Sequence, residues 1–467
     1  MKLRPKWIRM TGATLMAIAL LTLAAHSISA QSQGTQRTAE ELQQLKERLL
    51  QLERTMQELR GQINAVEQAQ RPPGDQNPPT QKTPGTIPAQ PKKENSFEVY
   101  GSVMLDAGYD FKQSDPNWFD VMRPTKLPAF KDQFGPDGKT YFGVRQSRFG
   151  VKSSTPTDLG ELKTQFEFEL FGTGADAGQT TFRLRHAYGE LGQFGAGQTW
   201  SPFMDTDLFP NAVEYWGPNG MVNFRNVQLR WTPLKGRNEL VLALERPGAS
   251  ADGGVYADRI ELQGVKPKFD TPDLSGHFRL TRSWGYLQTA GIIRRIAWRD
   301  LNREDNIDLS GSATGWGFNV SSNLKLGQRN TVKLQVVYGE GIQNYLNDAT
   351  TDVAVKNNFG DRFRPVKGVA LPVLSLVSFL DHNWSEHFST SIGYSMMNIY
   401  NADAQAPNSY HQGHYALTNL LWNPVPSFMA GAEFQYGRRV NFSDGWNVND
   451  YRLQFSFRYN FSKVFKF

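Results

Sequence analysis

Cysteine is absent from the 467 residues. That removes a disulfide framework, a thiol nucleophile, a Cys-ligated metal and a lipidated N-terminal cysteine. Long apolar runs are missing as well: after residue 30 no segment offers 18 uninterrupted apolar residues, which excludes membrane-spanning helices there. A mean hydropathy of −0.51 leaves a β-barrel open, because in a barrel only alternate residues of short strands face lipid. Surplus charge is scarcer than the formal +6 suggests. Lys2, Arg4, Lys6 and Arg9 precede an apolar stretch from Met10 to Ala25, and Ile28-Ser29-Ala30 ends on a small residue suited to cleavage before Gln31. A secretory signal over 1–30 is expected, and its apolar stretch is shorter than the ~20 residues of a membrane anchor. Removing it takes four bases and no acids from totals of 51 and 45, so net charge points to no nucleic-acid partner.

Three regions follow the leader. From 31 to 70, Leu42, Leu45, Leu49, Leu52, Met56, Leu59, Ile63 and Val66 recur with a strict 3-4 spacing. This is a coiled-coil heptad with Leu42, Leu49, Met56 and Ile63 at a. Arg48 at g and Glu53 at e fit an ion pair between helices, as in short trimeric coils, so a homotrimer is expected; the alternative is one amphipathic helix lying on a neighbour. From 71 to 95 come Pro72, Pro73, Pro78, Pro79, Pro84, Pro88 and Pro91, an extended linker.

Over 96–467 the period becomes two. Phe97, Val99, Val103, Leu105 and Tyr109 share one face and Glu98, Ser102, Asp106 and Asp110 the other, and Tyr451, Phe455, Phe457, Tyr459 and Phe461 alternate with Arg452, Gln454, Ser456, Arg458 and Asn460. Short connections near 155–160, 192–193, 233–237, 327–330, 383–386 and 423–426 alternate with long ones near 112–141, 201–221, 247–272, 300–313 and 342–367. That alternation predicts an all-β transmembrane barrel of about 16 antiparallel strands in outer-membrane lipid, the coiled coil and Pro-rich linker preceding it on the periplasmic side. Asp258 to Val265 is placed in the fourth long loop to keep the strand number even.

A barrel of this size leaves a water-filled lumen unless a segment folds in. Ser201 to Met221, with Asp205, Asp207 and Glu214 and no Lys or Arg, is the expected constriction; the alternative is an ordinary external loop. The polar strand faces put Arg148, Lys163, Arg183, Arg185 and Arg230 on the lumen wall, where arginines opposite an acidic loop would set up a transverse field favouring anions. The alternative is that they only balance lumenal glutamates. No cofactor or metal is expected: Gly195-Ala196-Gly197 and Gly339-Glu340-Gly341 lack the rest of a phosphate loop, and His411 and His414 would point to opposite faces of a strand. No catalytic residue and no enzymatic activity are expected; the alternative is an outer-membrane hydrolase built on a Ser/His pair that meets in three dimensions.

Arg145-Gln-Ser-Arg-Phe-Gly150, Gly197-Gln-Thr-Trp-Ser-Pro-Phe-Met-Asp205 and Tyr338-Gly-Glu-Gly341 together resemble the DcaP-like porins of Gram-negative outer membranes, from about Phe97 to the end. The resemblance implies a homotrimeric, 16-stranded porin with an N-terminal periplasmic helix, favouring small anionic solutes such as dicarboxylates, with Arg148 and Asp205 to Asp207 at or near the eyelet. A structural barrel tethered through its coil to periplasmic partners or peptidoglycan is the other reading. Two features depart from the pattern: Pro372 inside the apolar run Val369 to Leu380, and Ser462 to Phe467 beyond the expected last strand.

Overall fold

Alternation of apolar and polar residues is the pattern of a strand with unlike surroundings on its two faces, and the computed structural model closes such strands into a cylinder. It describes residues 94–248, 260–302 and 306–467. The signal segment, the coiled-coil residues Leu42 to Val66 and the Pro-rich linker lie outside the described residues.

Sixteen strands form one antiparallel barrel: β1 Ser96–Asp110, β2 Lys139–Gly143 and Arg148–Thr157, β3 Gly160–Phe171, β4 Thr180–Leu191, β5 Phe194–Trp200, β6 Arg225–Leu234, β7 Asn238–Glu245, β8 Val265–Lys268 and Asp273–Arg282, β9 Gly285–Asp300, β10 Gly311–Leu326, β11 Asn330–Glu340, β12 Pro372–Asn383, β13 Phe388–Ile399, β14 Tyr410–Val425, β15 Phe428–Asn441 and β16 Asn447–Lys466. Each pairs with its sequence neighbour, and β16 pairs with β1 from Ser96↔Lys466 to Asp110↔Arg452, which closes the cylinder and leaves no edge. The pattern is inside out. Phe455, Phe457, Tyr459 and Phe461 are exposed on the outer surface, whereas Arg452, Gln454 and Ser456 are fully buried within.

Both departures find a place in this frame. Val366–Ala370 belongs to a two-stranded hairpin with Val353–Asn357 inside the sixth long loop. Leu371 separates it from β12, so Pro372 is the first residue of a barrel strand, where its missing N–H costs no ladder bond. Ser462 to Phe467 continues β16, and Asn95 and Phe467 exchange both backbone hydrogen bonds at 3.2 and 3.1 Å. One placement is corrected: the stretch assigned to the fourth loop contains strand, since Val265–Lys268 opens β8 by pairing with β9 through Ala297↔Lys268 and Asp300↔Val265.

The lumen is not uniformly polar. On the inner face of β9 to β14, Ile292, Val337, Val373, Val377, Phe379, Tyr415 and Leu417 are buried against loop residues Phe203, Leu208, Met221, Val222, Ile342 and Tyr345. Burying each such side chain contributes roughly 1.5–3 kcal/mol. The third and sixth long loops therefore pack on this half of the wall instead of extending from the rim. This explains β12, whose apolar residues serve lipid on one face and a protein core on the other.

Candidate functional site: an arginine-lined cavity beside the third long loop

Loop 3 (201–224) leaves β5, follows the inner wall and returns to β6. Ser201 Oγ donates to Glu245 at 2.6 Å. Asp205, fully buried, accepts from Arg279 at 2.8 Å, Tyr286 OH at 2.8 Å and Ser321 Oγ at 2.6 Å, and Asp207 pairs with the same Arg279. Further on, Asn211 N donates to Asp381 at 3.2 Å, and Val213 N and Glu214 N donate to the two oxygens of Glu433 at 3.0 and 3.2 Å. The way back is pinned by Gly220 N to Ser395 Oγ at 2.9 Å and Val222 N to Gln335 at 3.1 Å. Loop 3 thus reaches from β7 to β15 inside the barrel, fixed by wall side chains that a loop on the rim would not meet.

Opposite the packed half, a cavity of about 800 Å3 remains, lined by Arg148, Arg183, Arg185 and Arg225 from the wall, Trp118 and Arg123 from loop 1, Glu214 to Gly217 from loop 3 and Asn344 to Thr351 from loop 6. Strand register builds its charged wall. Arg148 on β2 lies directly across from Glu169 on β3, and Glu169 directly across from Arg183 on β4. A β-bulge then makes Arg185 an extra residue: Glu167 pairs with His186 and Phe168 with Leu184. Its guanidinium grips both carboxylates, Nε to Glu167 and Nη1 to Glu169, each at 2.5 Å. Arg225, which opens β6, approaches Glu169 at 3.4 Å; Arg183 stands at 3.6 Å and Arg148 at 3.7 Å. Four guanidinium groups thus stand against two carboxylates, Glu167 and Glu169, on this wall.

Aromatic groups close the other side. Tyr215 OH donates to Glu169, and its ring stacks on Phe171 at 4.0 Å between centroids. Burial, then the Glu169 charge, raise the Tyr215 hydroxyl pKa above its ordinary value, so it stays a donor. The Arg123 guanidinium lies between the Trp118 and Trp216 rings, 4.0 and 4.1 Å from their centroids, and its Nε donates to Asp348 at 2.8 Å. One cation thereby joins loops 1, 3 and 6. Glu214 accepts from Met122 N at 3.1 Å and from Gly217 N. Burial pushes its carboxyl up to about 8, opposed by the Gly217 hydrogen bond and reinforced by Glu433.

Of the eight residues singled out in the sequence, Arg148, Arg183, Arg185 and Glu214 line this cavity. The other four stand elsewhere. Asp205 and Asp207 do not face the arginines: they are bound to Arg279 on β8, across the barrel, and act as anchors for loop 3. Lys163 is half-exposed near the short β2–β3 turn and pairs with Glu161 at 3.2 Å. Arg230 turns to Gln228 at 3.1 Å and to the Trp200 carbonyl. Arg123, Arg225 and Tyr215 were missed. Arg225 stands at a loop-strand boundary where alternation gives no face, and Arg123 lies in a loop with no period to read.

Two sequence motifs acquire a physical reason. Arg145, almost fully buried, bonds Asp120 at 2.5 Å, the Gly172 carbonyl at 2.8 Å and the Gln179 carbonyl at 3.1 Å, which ties loops 1 and 2 together. Gly197 adopts φ +120°, and a Cβ there would stand 2.1 Å from the Ala187 carbonyl oxygen, so only glycine fits beside β4.

A closed antiparallel barrel with an outward apolar belt, short turns at one end, long loops at the other and the third loop folded inside defines a bacterial outer-membrane channel of the porin type. The chain belongs to the DcaP outer membrane protein family, whose sequence profile matches residues 27–461. Among solved structures it is similar to the outer membrane channel DcaP of Acinetobacter baumannii, at 19% identity and a TM-score of 0.66 over 79% of this chain and 98% of that one. It also resembles an anion-selective porin from Comamonas acidovorans, at 11% identity and a TM-score of 0.51 over 79% of this chain and all of that one. No functionally curated protein matches it in sequence.

Proposed function

We propose that the protein is a passive diffusion channel for small hydrophilic solutes, that it prefers anions, dicarboxylates among them, and that it works as a homotrimer whose N-terminal coil (Leu42 to Val66) reinforces the assembly on the periplasmic side. The observation that carries the preference is the wall of Arg148, Arg183, Arg185 and Arg225 around Glu167 and Glu169, a fixed surplus of positive charge beside a cavity of about 800 Å3. The guanidinium fork suits a carboxylate, because two N–H groups meet two oxygens at once. Arg148 stands slightly beyond hydrogen-bond range of Glu169 and can exchange that partner for a solute carboxylate at small cost. Loop 3 and the Arg123 joint narrow the path to this wall. The anion-selective Comamonas porin is a precedent for such selectivity in this fold.

Reconstitution in planar bilayers under a KCl gradient tests the reading. A reversal potential of the sign for chloride permeation is expected. Cation preference would refute the selectivity, and a barrel that does not conduct would refute the channel and leave a structural, tethering role.

A further inference from the structure

The outer surface of the barrel carries one charge cluster that the channel does not use. Outward-facing residues of β9 run Leu287, Thr289, Gly291 and Ile293, an apolar or neutral stripe, and then change to Arg295 and Arg299. On β8, Lys266 stands directly across from Arg299 and Lys268 across from Ala297, both exposed on the same face. On β10, Thr314 stands across from Arg295 and Ser312 across from Ala297. Lys268, Arg295, Arg299, Ser310 and Ser312 border an open groove of about 330 Å3. Four bases thus gather on the outside of a wall whose remaining outward residues are mostly apolar.

Height along the barrel decides what they meet. Trp284, in the short turn before β9, marks one edge of the apolar belt, and Trp316, paired across from Ile293 and packed edge-on to Tyr338 at 5.7 Å, marks the other. The nine steps from Trp284 to Ile293, at about 3.3 Å each and a tilt of about 40°, rise roughly 23 Å, close to the ~25 Å lipid-facing band of such barrels. Arg295 therefore lies just above the band, on the long-loop side, at the level of lipid headgroups in the outer leaflet. Among the described residues, acids are few on this face. Asp270 is shared by Lys268 at 3.0 Å and Arg295 at 3.2 Å, and Glu340, across from Trp316, stands one strand further round.

We propose that this patch binds the phosphate groups of an outer-leaflet glycolipid, with Lys266, Lys268, Arg295 and Arg299 holding phosphate, Ser312 and Thr314 donating to it, and the acyl chains lying on Ile293, Trp316, Phe318 and Tyr338. Charge complementarity and the apolar belt directly beneath select an amphiphile over a free ion: a headgroup alone would gain nothing from the aromatic floor. Basic side chains at an anionic lipid surface each strengthen binding roughly fivefold. The site lies outside the lumen, so it acts on how the barrel is held in its membrane and is independent of solute selectivity.

Native mass spectrometry of the full-length protein in detergent, titrated separately with bisphosphorylated lipid A, its dephosphorylated form and inorganic phosphate, tests the proposal. Bisphosphorylated lipid A should bind at least tenfold more tightly than the dephosphorylated lipid, and inorganic phosphate should not compete at matched concentration. The K266Q/K268Q/R295Q/R299Q variant should lose at least tenfold in lipid A affinity with its reversal potential in KCl unchanged. D270N, which frees Lys268 and Arg295, should bind more tightly, and it carries the test if the fourfold variant does not fold. Equal affinity of the fourfold variant, or equal binding with and without the lipid phosphates, overturns the proposal. Full competition by inorganic phosphate assigns the patch to free anions, and a loss of oligomer mass in the variant assigns it to contact between copies of the chain; either result also overturns it.

Discussion

Neutralising Arg148 and Arg183 together should sharply reduce anion preference while leaving the barrel intact. In the wild-type wall four guanidinium groups stand against Glu167 and Glu169, a surplus of two charges. At about 6 Å in water that surplus gives roughly 1.4 kcal/mol for a monovalent ion, which screening at ~0.1 M salt about halves. An anion gains roughly 0.7 kcal/mol and a cation loses as much, so their permeabilities differ about tenfold. Under a tenfold KCl gradient that ratio corresponds to a reversal potential of about 40 mV. The R148Q/R183Q double variant balances Glu167 and Glu169 with Arg185 and Arg225 and leaves Arg458 as a further base on the cavity wall, so its reversal potential should fall well below the wild-type value. Planar-bilayer recording on both proteins is the assay. A wild-type potential near zero, or a double variant that keeps the wild-type potential, refutes the reasoning. Arg185 is the control of opposite kind: R185Q removes the guanidinium that bonds both buried carboxylates and leaves Glu167 with Tyr100 and Glu169 with Tyr215 and Arg225, so it should appear first as lost heat stability, by less than the ~3–5 kcal/mol of a fully unpaired buried charge.

Other consequences follow from single contacts. R123A removes the cation held between Trp118 and Trp216 and leaves buried Asp348 with the backbone N–H and hydroxyl of Thr125 as donors. It should lower the unfolding midpoint and raise single-channel conductance as loops 1, 3 and 6 part; R123K keeps the charge but not the flat stacking surface and should restore only part of the effect. Glu214 binds its proton more tightly folded (about 8) than unfolded (4.5), so its contribution to stability is present at pH 5 and is lost as the pH rises through about 8. E214Q should remove that decline, and thermal unfolding at pH 5 and pH 9 would show no difference from wild type if the carboxyl were already ionised at pH 5. Deleting residues 31–70 should make the oligomer dissociate at lower temperature in detergent electrophoresis. Unaltered heat resistance would mean that the coil is not its clamp.

Strand number and loop alternation were legible because both are local and periodic. Each strand must present apolar side chains to lipid at every second position, so the barrel wall is encoded residue by residue, and an even count follows from hairpins joined end to end. The arginines of the site were legible for the same reason: Arg148 and Arg183 lie on polar faces. Position in the loop did not reveal partnership. The acids of loop 3 looked alike in sequence, yet Asp205 and Asp207 are held by Arg279 across the barrel and Glu214 meets Glu433 and the Met122 backbone. Those partners lie between 72 and 219 residues away.

The sequence by itself therefore determined the class of fold, the faces of its strands and the presence of a long acidic third loop. Tertiary structure alone decided where that loop runs and which side of the lumen stays open. Inward-facing Val373, Val377 and Phe379 make the run Val369 to Leu380 too apolar for a pore wall, and only the packing of loop 3 against them gives the reason. An alternating pattern states that two faces differ, but whether an inner face meets water or another segment of chain depends on long-range packing, which no local period records.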